Sequence, residues 1–108
     1  MSRNRIATAI AAGEHPIQAS VSTASLLVAE MVATSGYDGV WLDLQHGPLA
    51  PSDMYPLISV LLLRDVTVTV RVPTNDRAVI ARVLDAGARV VICPDVQSPA
   101  EARAFADA

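Results

Sequence analysis

Two side chains capable of acid–base chemistry lie close together near the middle of the sequence. Asp43 ends an apolar run, and His46 lies three residues later in the turn that follows. At this spacing the carboxylate would hold the imidazole in one tautomer and raise its basicity, which makes His46 a candidate general base. An equally weighted alternative is that Asp43 only caps the turn and that His46 is a solvated surface residue.

A third chemically active group is Arg71, in the run VTVRVP at residues 68–73. Its guanidinium would offer a planar fork of donors to a carboxylate or to an enolate oxygen. The competing interpretation is a salt bridge at the rim of the fold, although the flanking residues are strongly apolar. Arg71 is therefore predicted to bind an anionic group.

Other polar residues follow the same apolar runs. Gln45 lies in the same turn as the candidate base, and Ser22 follows the first run. Ser22 would contact a substrate or, as the favoured alternative, cap the next helix together with Thr23. Asp95 and Glu101 are metal ligands in principle, but loop solvation explains Asp95 and a helix cap explains Glu101. No metal site is therefore predicted within this chain.

The elements that position these residues are four β-type runs, each followed by a helical pattern. The runs cover residues 17–22, 39–43, 67–72 and 89–93. Because parallel neighbours need a long connection that a helix supplies, the alternation predicts a parallel sheet with right-handed crossovers. Ligands bind at the C-terminal edge of such sheets, where the polar residues collect. His15 precedes the first run and is expected on the surface at the opposite end.

Caps and breakers define the predicted helices. They are residues 4–12, closed by Gly13; residues 24–35, with Leu27, Val28, Met31 and Val32 at helical spacing and a stop at Gly36; a helix capped by Ser52 and Asp53 that runs to Leu63; a helix capped by Asn75 and ended by Gly87; and a helix opened by a capping box of Ser98 and Glu101. These patterns follow from the cap preferences of helix ends. Pro56 is tolerable only near the first turn of the third helix.

Length and composition define the class of protein. The chain has 108 residues, of which 52% are hydrophobic and 18% charged, with a net charge of −3. This balance predicts one folded domain over residues 1–108 and excludes a disordered chain. The charges are interspersed without a basic cluster, so nucleic acid is not an expected partner. The single cysteine, Cys93, cannot form an internal disulfide. No apolar stretch has membrane-spanning length. A cytoplasmic location is therefore expected.

Two closures of the sheet are compatible with this element order. An open, doubly wound sheet is complete at this size, whereas an eight-stranded barrel needs about 250 residues. Length alone favours the open sheet. A nucleotide-binding domain of that kind is the least favoured function, because no Gly-rich phosphate loop follows the first run.

Several ordered motifs resemble the HpcH/HpaI aldolase and citrate lyase family. They are GYDGVWLDLQHG at 36–47, VRVP at 70–73, ND at 75–76, LDAGA at 84–88 and PDVQS at 94–98. The resemblance covers nearly the whole chain and replaces the open sheet with the N-terminal half of a (βα)8 TIM-type barrel, four βα units after a leading helix. Half a barrel has an open sheet edge, so a homo-oligomer or a complementing chain is expected.

The resemblance also implies a chemistry, that of class II pyruvate aldolases. These enzymes cleave a 4-hydroxy-2-oxo acid reversibly to pyruvate, or a related 2-oxo acid, and an aldehyde through an enolate held on Mg²⁺, Mn²⁺ or Co²⁺. By position, His46 is similar to the family's base, Asp43 to its partner and Arg71 to the arginine that stabilises the enolate. Gln45 stands where many relatives have Glu, and the family's metal-binding Glu and Asp lie on later strands. The alternative is an inactive half-barrel that serves only as a binding or assembly module.

Overall fold

Strands and helices alternate along the chain in the computed structural model, which describes residues 3–108. The helices are α1 (Arg5–Ala11), α2 (Leu26–Ala33), α3 (Pro51–Leu61), α4 (Arg77–Ala86) and α5 (Pro99–Ala106). The strands are β1 (Gln18–Val21), β2 (Gly39–Asp43), β3 (Thr67–Arg71) and β4 (Val90–Ile92). Each predicted strand and helix is therefore present, with ends that differ by a few residues.

The four strands form one parallel sheet in the consecutive order β1-β2-β3-β4. Right-handed crossovers between consecutive parallel strands place every connecting helix on the same side of the sheet. A doubly wound sheet needs a point where the strand order reverses. The described strands have no such reversal, so the preference for an open doubly wound sheet that length suggested is wrong.

One face of the sheet packs against the helices and forms the core. Alternate strand residues point to this face, because successive side chains in a strand point to opposite sides. The buried strand residues are Val21, Val40, Leu42, Val68 and Val70, and the helices contribute Ala29, Ala33, Met54, Leu57, Ile58, Leu61, Ile80 and Val83. The opposite face, here called the polar face, bears the side chains of Gln18, Thr67, Thr69, Asp43 and Arg71 together with Trp41, Val90 and Ile92.

Helix α1 covers the N-terminal end of that polar face. The backbone N–H of Arg5 donates to Thr67 Oγ1 at 2.7 Å, and Ile6 is buried. A Cβ built at Gly39 would lie 2.8 Å from Ile6 Cδ1, so this glycine permits the close approach of the helix. Thr69 Oγ1 donates to Gln18 Oε1 at 2.5 Å further along the face. The C-terminal end of the same face therefore stays open.

Two predicted helix caps are wrong. Helix α3 begins at Pro51, and Asp53 Oδ2 accepts the N–H of Ala50 at 2.8 Å, so Asp53 acts from the third helical position. Pro51 fixes the first turn, which moves the start ahead of the predicted Ser52 and Asp53 cap. Helix α4 is capped by Asp76, whose Oδ1 accepts from Ala78 and Val79 N–H. The predicted cap, Asn75, instead donates from Nδ2 to the carbonyl of Glu101 at 3.1 Å. Pro56 lies inside α3, beyond its first turn.

The other helix ends agree with the sequence patterns. Gly87 ends α4 in the left-handed conformation, with φ of 118°. Ser98 caps α5 by accepting the N–H of Glu101 at 3.1 Å, whereas Glu101 Oε2 accepts from Gln97 N–H at 2.7 Å, one residue before the expected partner. No helix within residues 3–108 combines the length and apolar character that a bilayer span requires.

The packed face of α2 differs from the apolar pattern of its sequence. Ala29 and Ala33 are buried, whereas Leu27 and Met31 are 68% and 60% exposed. Helix α2 follows the edge strand β1 and packs on α3, so small residues face the sheet and larger ones lie outside. Helical spacing alone could not assign this, because the strand's place at the edge is a property of the sheet.

Candidate active site

The first predicted site residues form a two-pronged ion pair at the C-terminal ends of β2 and β3. The strand register places Asp43 directly beside Arg71. Arg71 Nε donates to Asp43 Oδ1 at 3.0 Å, and Nη2 donates to Oδ2 at 2.5 Å. The side chain of Asp43 is 13% exposed and that of Arg71 is 25% exposed. This geometry fixes the guanidinium plane as well as its position.

Both partners of this pair carry their charge at neutral pH. The hydrogen bond from Arg71 holds the pKa of the Asp43 carboxyl far below its usual range, against the opposing effect of burial. The same bond raises the pKa of Arg71, and the negative charges of Asp43 and Asp95 act in the same direction. Asp43 is therefore a fixed anion that orients other groups, and it is unsuited to exchange protons in a reaction near neutral pH.

The Asp43 carboxylate also shapes the turn that carries the candidate base. Its Oδ1 accepts the backbone N–H of Gln45 at 2.9 Å and of His46 at 3.3 Å. A Cβ at Gly47 would lie 2.9 Å from the carbonyl oxygen of Asp43, so the turn closes tightly at glycine. The His46 side chain is exposed. Within residues 3–108 no hydrogen bond joins its imidazole to the Asp43 carboxylate, so the expected carboxylate–imidazole bond is not formed and Asp43 acts as the turn cap.

The guanidinium of Arg71 lies over the aromatic ring of Trp41. Arg71 Cζ lies 5.2 Å from the centroid of the Trp41 ring, within cation–π range. Trp41 Nε1 is buried and has no hydrogen-bond partner among the described residues. The sequence reasoning missed Trp41, although a signal was present. Trp41 lies two residues before Asp43 on β2, and side chains two apart on a strand share a face.

A further contact joins the loops that follow β2 and β4. Gln45 Nε2 donates to Asp95 Oδ2 at 2.8 Å across 50 residues of sequence. Asp95 has φ of 56°, a left-handed conformation that Asp tolerates better than most residues. The expectation that Asp95 is only a solvated loop residue is therefore incomplete. The bond was not predictable from local spacing, because it depends on the distance between β2 and β4 in the folded sheet.

Other predicted residues lie apart from this cluster. Ser22 is exposed directly after β1, and no hydrogen bond in the described residues links it to the ion pair. The alternative role as a helix cap is wrong, because Ser25 caps α2 by accepting the N–H of Val28 at 3.3 Å. Thr23 Oγ1 accepts from Ser25 N–H instead. His15 is exposed before β1, as expected.

The family resemblance implies a divalent metal, which needs several acidic or imidazole ligands close together. Across residues 3–108 no group of three or more His, Cys, Asp or Glu side chains is placed to hold a metal ion. Asp43, the most enclosed carboxylate of the site, already binds Arg71 with both oxygens. The described part of the chain therefore does not by itself fit the metal.

Comparison with known proteins identifies relatives of this chain. The HpcH/HpaI aldolase/citrate lyase profile matches residues 20–108. The chain is 39% identical over 102 residues to a hydroxypyruvate/pyruvate aldolase of Sagittula stellata, covering 94% of this chain and 40% of that protein. It is 34% identical over 91 residues to a 2-keto-3-deoxy-L-rhamnonate aldolase of Klebsiella pneumoniae, covering 84% of this chain and 34% of the relative.

Solved structures show the same fold. A HpcH/HpaI aldolase/citrate lyase family protein from Burkholderia cenocepacia superposes with a TM-score of 0.84 at 27% identity, over 95% of this chain and 41% of its own. Macrophomate synthase gives a TM-score of 0.78 at 27% identity, over 94% and 35%. The predicted fold class, the N-terminal half of a (βα)8 TIM-type barrel, is confirmed by these matches. The chain spans about two fifths of the length of the curated relatives it matches.

Proposed function

The chain belongs to the HpcH/HpaI aldolase/citrate lyase family, and we propose from this premise that it forms part of the active site of a carbon–carbon lyase. The reaction is the reversible cleavage of a 4-hydroxy-2-oxo acid to an aldehyde and pyruvate or a related 2-oxo acid. The observation that supports this proposal best is the Asp43–Arg71 pair beside His46 at the open end of the sheet. The names of the relatives favour a lyase over an inactive binding module.

In the proposed reaction, His46 accepts the proton of the C4 hydroxyl of the substrate. The C3–C4 bond then breaks, the C4 oxygen becomes the aldehyde oxygen, and the bonding electrons move into the 2-oxo acid as its enolate. The protonated His46 then returns this proton to C3, which completes the 2-oxo acid, so the same imidazole also exchanges the C3 protons of pyruvate. Imidazole suits this transfer because it exchanges protons near neutral pH, and the exposed position of His46 lets a substrate reach it.

Arg71 is proposed to stabilise the negative charge of the enolate. The Nε and Nη2 atoms of Arg71 bind Asp43, while Nη1 makes no hydrogen bond among the described residues, so this donor is available to an anion. Asp43 and Trp41 hold the guanidinium in place before the substrate arrives, which lowers the cost of reorganisation. Asp43 is thus proposed as a positioning residue.

Gln45 and Ser22 are proposed to contact the substrate, since both lie at the same edge as the pair. The divalent metal, Mg²⁺, Mn²⁺ or Co²⁺, is proposed to be held by ligands other than residues 3–108, and none of the steps above depends on it. A homo-oligomer or a complementing chain is the proposed assembly.

The test uses NMR to measure the exchange of pyruvate methyl protons in deuterated buffer with Mg²⁺. The folded chain should exchange them, because the enolate also forms when the methyl group loses a proton. His46→Ala should slow exchange by about 100-fold, the usual contribution of a general base. His15→Ala is the matched control, since His15 is exposed at the other end of β1, and it should exchange at the original rate. Equal rates for the two variants, or no exchange by folded chain, would contradict the proposal.

A further inference from the structure

A cavity of about 410 Å³ lies between the loops that follow β3 and β4. Thr74 and Asn75 line it from the β3 loop, Cys93 and Asp95 from the β4 loop, and Glu101 from the first turn of α5. This volume falls within the range of small-molecule sites, about 300–1,000 Å³. None of the roles proposed above for the ion pair and the candidate base uses this cavity.

The cavity adjoins the candidate active site. Asp95 belongs to both, because it lines the cavity and accepts the hydrogen bond from Gln45. Cys93 directly follows Ile92, which is the register partner of Arg71 on the neighbouring strand. A molecule in the cavity would therefore lie at the same sheet edge as the Arg71 guanidinium, on the side of β4.

The lining of the cavity is negatively charged. Asp95 and Glu101 contribute carboxylates, and no basic side chain is found among the described residues that line it. The Cys93 thiol senses this charge, because burial and then the charges of Glu101 and Asp95 raise its pKa. The hydroxyl of Thr74 and the amide of Asn75 add uncharged hydrogen-bonding groups.

We propose that this cavity binds the aldehyde half of the substrate and selects uncharged, hydroxylated aldehydes over carboxylated ones. The inference rests on the proposed aldolase function. Hydroxyl groups of such an aldehyde can donate to the carboxylates of Asp95 and Glu101 and accept from Thr74. A carboxylated aldehyde would instead bring a like charge close to both acids, at a Coulombic cost.

The first experiment measures the cavity without any catalysis. Cys93 is the single cysteine of the chain, so alkylation reports on this position alone. The measured quantity is the ratio of the alkylation rate with neutral iodoacetamide to the rate with anionic iodoacetate. This ratio should be about tenfold higher at Cys93 than at the thiol of N-acetylcysteinamide, because the carboxylates of the cavity repel iodoacetate. Glu101→Gln should recover part of this difference while still accepting the N–H of Gln97. Erythritol should slow alkylation by iodoacetamide, and erythronate at the same concentration should not.

The second experiment measures selection during the reaction. With pyruvate as donor, kcat/KM for glyceraldehyde should exceed that for succinic semialdehyde, and Glu101→Gln should shift the ratio toward the carboxylated aldehyde several-fold. Glu14→Gln is the control, because Glu14 is exposed in the loop between α1 and β1.

The outcomes separate this inference from the proposed function. Activity with an unshifted ratio in Glu101→Gln would overturn the inference and leave the aldolase intact. If erythritol and erythronate protect Cys93 equally, or if neither protects it, the inference is overturned whether or not the chain is active.

Discussion

At the level of single residues, Asp43 connects most of the candidate site. Its carboxylate binds the Arg71 side chain and the backbone N–H groups of Gln45 and His46. One anion therefore determines both the plane of the guanidinium and the start of the turn that carries the imidazole. Because its pKa is held far below the usual range, this anion persists at neutral pH.

The depressed pKa of Asp43 predicts a specific loss of stability in acid. A carboxyl whose pKa is lowered by folding contributes stability that is complete above the unfolded value, about 4, and is lost as pH falls toward the folded value. The free energy of unfolding of the wild type should exceed that of Asp43→Asn by about 1–3 kcal/mol at neutral pH, and the gap should begin to narrow below roughly pH 5 and keep narrowing as pH falls toward the folded value.

Denaturant unfolding across this pH range measures the effect. Asp85→Asn is the control, because Asp85 is exposed on α4 and should show little acid-dependent difference from the wild type. A gap for Asp43→Asn that is the same at all pH values would show that the Asp43–Arg71 bond does not stabilise the carboxylate.

The fork of Arg71 predicts that charge alone cannot replace it. Arg71→Lys keeps a positive charge, but its donors all lie on one nitrogen, so it cannot form the planar two-nitrogen fork to Asp43 and present a separate nitrogen to an enolate. Pyruvate methyl exchange should fall by about 100-fold, the usual loss on removing one donor from a developing oxyanion. Arg82→Lys, on the exposed side of α4, should exchange at the original rate. Equal rates for the two variants would remove Arg71 from the proposed mechanism.

The sequence allowed part of this site to be predicted and not the rest. Asp43 and Arg71 were expected at the same edge, because both end strands of a parallel sheet, and the register confirms it. The partner of each was not predictable, since the bond between Asp43 and Arg71 and that between Gln45 and Asp95 depend on distances across the folded sheet. Local spacing and the family resemblance both assigned the carboxylate to the imidazole, whereas the guanidinium is a stronger partner for it.

At the level of elements, periodicity predicted the order of strands and helices, and local competition decided their ends. The start of α3 moved because Pro51 and Asp53 cooperate in the first turn, and Asp76 replaced Asn75 as the cap of α4. At α4 two neighbouring residues can cap the helix, and the contacts of the folded chain decide between them. Asn75 is used elsewhere, by the carbonyl of Glu101 on α5.

Two glycines with positive φ separate backbone strain from steric contact. Gly87, at the end of α4, has φ of 118°, and a Cβ there would lie 2.6 Å from Leu62 Cδ1. Gly13 has φ of 77°, with nothing within 4 Å of its Cβ position. Gly13→Ala should lower the free energy of unfolding by about 1 kcal/mol through strain alone, and Gly87→Ala by about 2–4 kcal/mol because the half-buried Leu62 side chain must also shift. Denaturant unfolding followed by circular dichroism measures both, and equal losses would show that Leu62 moves aside without cost.

At the level of the whole molecule, one side of the fold has both an unpaired strand edge and an exposed apolar helix surface. Strand β1 is an edge of the sheet, and α2, which follows it, packs against α3 on one side only. The side chains of Leu26, Leu27, Val28 and Met31 are therefore exposed along α2. An unpaired strand beside an apolar helix surface favours association, because one partner would cover both.

We expect a second copy of the chain to cover this surface. In sedimentation experiments the wild type should show species above the monomer mass of 11.4 kDa at micromolar concentration. The double variant Leu27→Glu, Met31→Glu should weaken association by at least about tenfold, because it places charges in the apolar patch without disturbing the buried Ala29 and Ala33. Leu63→Glu is the matched control, since Leu63 is 74% exposed beyond the end of α3, and its mass distribution should equal that of the wild type. A folded wild type that stays monomeric, or equal effects of the double variant and the control, would show that α2 is not the surface through which the chain associates.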